Sequence, residues 1–149
     1  ISIAQLMQPE HANTYGNVHG GWIAKLVDEA GALACMRHAQ ARVVTVAIDS
    51  MVFRHPIRIG HLVILTSEVT YAGHTSLEVE VQVMAEDPIT GERIHSHTAY
   101  LVYVALGDNG NPIPVPPLLT ETDAEEKKME QAKERQKRRL EQKYTHDRT

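Results

Sequence analysis

The stretch NTYGNVHGGWIAKLVDEAGALACMRH, residues 13–38, decides how the rest of the chain is read. Its first half is crowded with Gly and Asn, which suit tight turns. Its second half predicts one long helix that begins near Gly20 or Gly21 and ends before Ala41. At the helical period, Trp22, Ile23, Leu26, Val27, Ala30, Leu33 and Ala34 form one broad apolar face that belongs on a core. The other side carries Ala24, Gly31, Ala32 and Cys35 around Asp28, leaving Lys25, Glu29 and Arg37 as the plainly solvent-compatible groups. The helix is therefore expected to be buried nearly all round. A carboxylate among small residues is costly to desolvate unless it is hydrogen-bonded or protonated. Three readings stay open for Asp28 at this point: a satisfied structural acid, a metal ligand, or a catalytic base.

The 149 residues suffice for one domain and a tail. One Phe and one Trp leave the core to Val, Ile, Leu, Ala and Met, and leave few platforms for stacking single-stranded nucleic acid. No run of about 18 apolar residues occurs, and the opening ISIAQLMQPE lacks the basic start and apolar segment of a secretory signal. The single Cys35 excludes an internal disulfide, so a cytoplasmic location is expected. Residues 1–120 carry 6 basic and 11 acidic side chains, against 9 and 8 in residues 121–149. An acidic body and a nearly neutral tail do not attract nucleic acid or an anionic membrane.

Outward from the helix, residues 1–7 alternate weakly and predict a short strand stopped by Pro9. Gly16 and the Gly20–Gly21 pair permit close backbone approach, and uncovered amides at a helix start suit a carbonyl oxygen as it becomes negative. After the helix, β-branched residues predict a long strand over Val43–Arg54, with Pro56–Gly60 as a turn. Strands follow over residues 61–71, Ser76–Glu86 and Arg93–Leu106. In Ser76–Glu86, Leu77, Val79, Val81 and Val83 face one way, and Glu78, Glu80 and Gln82 are expected to face water. Short connections favour an antiparallel meander, giving an α+β fold over residues 1–118. Residues 119–149 read as a charged helix or disordered tail, because the apolar or aromatic residues Ala124, Met129, Ala132, Leu140 and Tyr144 keep no heptad.

The ordered set N-x-x-G-x-x-x-G-G-W-I-x-x-x-x-D, at Asn13, Gly16, Gly20, Gly21, Trp22, Ile23 and Asp28, resembles the acyl-CoA thioesterases of the hot-dog superfamily. So do VVTVAIDSMVFRHPIRIG, AGHTSLEVEVQV and TAYLVYVAL further on, and the resemblance covers most of residues 5–117. It implies a curved antiparallel sheet wrapped around the central helix, a homodimer as the minimal unit, and assembly into a trimer of dimers, a homohexamer. It also implies a site between subunits, with Asn13 from one chain and Asp28 from the other. In such a site Asp28 activates water or attacks the thioester directly, Asn13 orients the carbonyl or the water, and an amide of the Gly20–Gly21 turn, by preference Gly21, stabilises the oxyanion. The substrate implied is an acyl-CoA, cleaved to free fatty acid and coenzyme A without a further cofactor. Two departures stand out: His19 where a bulky apolar residue such as Phe is common, and Asn17 where an acid is common.

Arg54 and Arg58 flank Pro56 and offer fixed donors for the phosphates of coenzyme A. Gly73-His74-Thr75-Ser76 resembles the family segment near the coenzyme entrance, which makes Gly73 and Ser76 candidates for contact with pantetheine or phosphate. His95 and His97 are expected on one strand face, but no Cys or carboxylate completes a metal set, so no metal is assigned. The chain has no G-x-G-x-x-G in a βαβ setting, no P-loop and no G-x-S-x-G elbow. Two other readings are a hydroxyacyl-thioester dehydratase of the same fold and an acyl-CoA-binding regulatory protein that does not hydrolyse.

Overall fold

A computed structural model describes residues 1–49 and 51–146; Ser50, the side chains of residues 144–146, Tyr144 among them, and residues 147–149 lie outside the described residues. The helix α1 spans Gly20–Ala39 and stops where Gln40 turns left-handed (φ 51°). Around it curls one five-stranded sheet built from β1 (Ser2–Leu6), β2 (Arg42–Ile48), β3 (Leu62–Ala72), β4 (Ser76–Glu86) and β5 (Arg93–Leu106). Every pairing is antiparallel, and the spatial order is β1-β3-β4-β5-β2. This is the hot-dog fold that the resemblance implies. Irregularities between Thr45 and Ala47, Val69 and Tyr71, and Val83 and Met84 add the local bend and twist that wrap a sheet around a helix.

The concave face supplies the core. Leu65, Leu77, Val79, Val81, Leu101 and Tyr103 are fully buried with Ile23, Val27 and Ala30 of α1, and Ser67 Oγ donates to Ala30 O at 2.8 Å. The helix is not buried all round, however: Lys25, Glu29, Leu33 and Met36 are exposed in the single chain. Gly31 and Cys35, expected beside Asp28 on a second face, lie under the chain's own sheet.

Three strand expectations change. The strand predicted over Val43–Arg54 ends at Ile48, and residues 51–54 are irregular. β2 does not lead into the β3–β4–β5 meander, either; it pairs with β5 at the far edge. The link to β3 must therefore cross the sheet, which a five-residue turn at Pro56–Gly60 cannot do. Finally, the charged face of β4 does not meet water: Glu78 is 1 % exposed and Glu80 7 %. The cover is α2 (Asp123–His146), laid on the convex side of the sheet with Ala132 fully buried. Arg135 grips Glu78 with two hydrogen bonds of 2.9 and 2.8 Å and stacks over Tyr100 at 3.8 Å. One turn on, Arg139 bonds both Glu78 and Asp49, while Lys128 pairs with Glu68. A polar strand face and a charged helix that each read as solvated bury one another by charge complementarity.

Candidate active site

Asp28 sits at the middle of α1, half-buried, and its carboxylate is held from the sheet. Thr45 Oγ1 donates to Oδ1 at 2.7 Å. The Tyr103 hydroxyl donates to the same Oδ1 and to the main-chain O of Asp28, both at 2.9 Å. Oδ2 has no hydrogen-bond partner among the described residues. The irregularity of β2 after Thr45 lies at this spot, where a bulge re-aims a side chain. Burial, followed by the hydrogen bond to Asp28, pushes the Tyr103 phenol far above its ordinary range, so it stays a donor. The arrangement is a carboxylate with one oxygen anchored by two hydroxyls and the other open to water or to an electrophile.

Neither hydroxyl was singled out by sequence. Thr45 reads as one more β-branched strand residue, and Tyr103 as an aromatic within an apolar strand. The available signal was polarity: each is a hydroxyl on the strand face that points to the helix bearing Asp28.

Asn13 lies in the loop before α1. Its Oδ1 accepts from the N–H groups of Tyr15 at 2.9 Å and Asn17 at 3.2 Å. Loop capping and a functional role are thus compatible, because fixing Oδ1 this way directs the amide NH2 away from the turn. The loop is pinned further by Asn13 N–H to Asn17 O and Val18 N–H to Ile57 O, and His11 stacks on Trp22 with ring centroids 4.2 Å apart. His19 is the N-cap of α1, and its Nδ1 accepts from Gly21 N–H at 2.9 Å. The amide preferred as oxyanion donor is therefore engaged by the neighbouring imidazole. This is a concrete consequence of having His rather than an apolar residue at this position.

Arg58 bridges to Asn17, just before β3, whereas Gly73 and Ser76 form the turn after it, where Gly73 N–H bonds Ser76 O at 2.8 Å. β3 runs 11 residues between them, a span of roughly 35 Å at strand rise. One chain therefore does not bring the two groups together. Arg54 is exposed in the irregular segment after β2. His95 and His97 do not share a face, since the register shifts between Val83 and Met84 on the partner strand: His97 is buried, while His95 is exposed and bonds Gln82 and Thr98. Burial and then His95 hold His97 below the usual histidine range; its ring meets Phe53 edge-on at 4.9 Å, and a Cβ at Gly20 would stand 3.5 Å from the Phe53 ring.

A model of the thioesterase superfamily matches residues 15–92, more than half of the chain. The chain belongs to the thioesterase superfamily. This superfamily member is 35 % identical over 137 residues to the cytosolic acyl coenzyme A thioester hydrolase of Rattus norvegicus, an alignment that takes in 90 % of this chain and 36 % of the rat protein. The chain thus spans about a third of that relative's length. An apo-hexameric acyl-CoA thioesterase superposes with a TM-score of 0.90 at 34 % identity, covering 95 % of this chain and 91 % of the other. The acyl-CoA hydrolase of Staphylococcus aureus, solved with butyryl coenzyme A and coenzyme A, superposes at 0.86 with 33 % identity, covering 99 % and 92 %. That hydrolase has also been solved with an aspartate, a threonine and an asparagine each replaced by alanine.

Proposed function

We propose that this chain is an acyl-CoA thioester hydrolase in which Asp28 activates the attacking water. The observation that carries the proposal is the anchored carboxylate of a thioesterase-superfamily chain, with Oδ1 held by Thr45 and Tyr103 and Oδ2 open. In the step assigned to it, Oδ2 takes a proton from water as the water oxygen bonds to the thioester carbon. The resulting oxyanion rests on the Gly20 amide of the Gly20–Gly21 turn, since that of Gly21 is held by His19 Nδ1, and collapse breaks the C–S bond, with the proton passing to the departing thiolate. If the carboxylate attacks directly, the intermediate is a mixed anhydride that water then opens. The three residues replaced by alanine in the Staphylococcus aureus hydrolase are separated along that chain as Asn13, Asp28 and Thr45 are here, which supports a common constellation.

The site is assigned to a dimer. The outward NH2 of Asn13 and the turn at the start of α1 serve the Asp28 of a partner chain, and the dimers assemble in threes. An edge strand with Val44, Val46 and Ile48 each 44 % exposed or more supports a subunit contact along β2, because exposed apolar edges are otherwise an aggregation hazard. Arg54 and Arg58 of one chain, and Gly73 and Ser76 of another, are assigned to the coenzyme moiety, consistent with their separation within a chain. Coenzyme A enters as part of the substrate and leaves as product, and a cytoplasmic setting accords with the rat relative's name.

Release of free thiol from a panel of acyl-CoAs tests the reading. Turnover is expected in the native chain and strong loss in Asp28→Asn with its assembly intact. Binding without thiol release points to the regulatory reading, and hydration or dehydration without thiol release points to the dehydratase.

A further inference from the structure

We infer that Tyr103 is a positioning residue for the reaction, and that Gly31 exists in α1 to let its hydroxyl reach Asp28. The inference rests on the reading of Asp28 as the proton acceptor. The Tyr103 hydroxyl makes a three-centre contact with the main-chain O and side-chain Oδ1 of one residue, each at 2.9 Å. Bonding both ends of Asp28 at once fixes the rotation of the carboxylate about its own helix. Thr45, from the opposite neighbour strand of β5, closes on the same Oδ1 at 2.7 Å. With two donors on Oδ1, the basic lone pairs left to the reaction are those of Oδ2, held at one orientation.

The helix is built around this hydroxyl. A Cβ at Gly31 would stand 2.6 Å from the Tyr103 oxygen, 3.0 Å from Val79 Cγ1 and 3.2 Å from Tyr103 Cε2. The first distance is closer than side chains tolerate, and the tyrosine, fully buried, has no room to withdraw. Glycine inside a helix is otherwise destabilising relative to alanine. Three residues after Asp28 it is explained by access of the phenol to the helix backbone. The phenol remains protonated through any working pH, so its part is to donate and to orient, not to exchange a proton with substrate.

The test is Tyr103→Phe in the full oligomeric chain, since Phe keeps the ring and deletes only the donor. Expected is a kcat about 10-fold lower with KM held within about two-fold, because a donor that orients the carboxylate is lost while the substrate-binding surface is unchanged. A purely packing role changes stability and leaves kcat and KM of the assembled variant in place. Gly31→Ala, which keeps the tyrosine but displaces its hydroxyl, is expected to reproduce the kcat loss at unchanged KM, and it decides the matter if Tyr103→Phe does not assemble. In the double variant the two losses do not add. Wild-type kcat in an assembled variant overturns the inference. Asp28→Asn, measured alongside, separates the two claims: if it is inactive while Tyr103→Phe is normal, only the positioning role falls. If Asp28→Asn turns over normally, the reading of Asp28 itself falls.

Discussion

Replacing Glu78 with Met tests whether α2 is an integral part of the fold. Glu78 is 1 % exposed and accepts from Thr70 Oγ1 at 2.6 Å, from Arg135 Nε at 2.9 Å and Nη2 at 2.8 Å, and from Arg139. Methionine preserves most of the volume, so the loss measured is that of the buried anion. Breaking such a pair from one side costs about 3–5 kcal/mol, because the remaining charge is left uncompensated. Arg139 keeps Asp49 and Arg135 keeps its stacking on Tyr100. The expected loss therefore sits at the low end, about 3 kcal/mol, which for a chain of this size lowers Tm by roughly 6–12 °C. The assay is chemical and thermal unfolding at fixed protein concentration, with assembly checked by size. The Glu78→Met, Arg135→Met pair, which removes Arg135 together with the anion and leaves Arg139 on Asp49, is expected to recover part of the loss. A single variant within about 0.5 kcal/mol of wild type, the scatter of ordinary surface substitutions, refutes the docking of α2 by this cluster.

Three further outcomes follow from the same contacts. Thr45→Val removes one of two donors to Asp28 Oδ1 without changing side-chain shape and is expected to lower kcat about 10-fold, with stability changed far less; steady-state thiol release at matched assembly checks it. Burial and then His95 hold His97 below the usual histidine range, so the unfolded chain binds more protons as pH falls below about 6.5, and folding stability declines there towards the lowered native value. In His97→Phe that part of the decline is expected to vanish when urea midpoints at pH 7 and pH 5 are compared; an unchanged slope refutes the assignment. Burial raises the Cys35 thiol to about 12, so iodoacetamide at pH 8 is expected to label it only on unfolding, and labelling of the native chain within minutes contradicts its place under the sheet.

The elements whose pattern is local were legible in the chain. The Gly-rich entry and apolar period delimit α1, and the turns at Gly73 and Gly91 set the β3–β4–β5 meander, since hairpins need only neighbours in sequence. Partners distant in sequence were not legible. Nothing in VVTVAI says that β2 lies beside β5 instead of β3, and alternation in β4 cannot distinguish water from a charged helix some 50 residues later. Glu78 and Arg135 each read correctly as polar and wrongly as solvated, because burial by mutual pairing is a property of two segments. The site shows the same division. Asp28 is conspicuous on its helix, whereas Thr45 and Tyr103 acquire meaning only when two strands converge on it. The paired faces of His95 and His97 failed for a local reason, a register shift that a strict two-residue period does not anticipate.

The most direct test of a site shared between subunits is complementation. Asn13→Ala and Asp28→Asn chains are each expected to be nearly inactive when assembled alone. Co-expressed at equal levels, half of all dimers pair one chain of each kind, and each such dimer holds one intact site and one doubly broken site. Thiol release from acyl-CoA is then expected to recover to about a quarter of wild type, as two-fold symmetry requires. Co-assembled oligomers with no activity above the separate variants contradict the account.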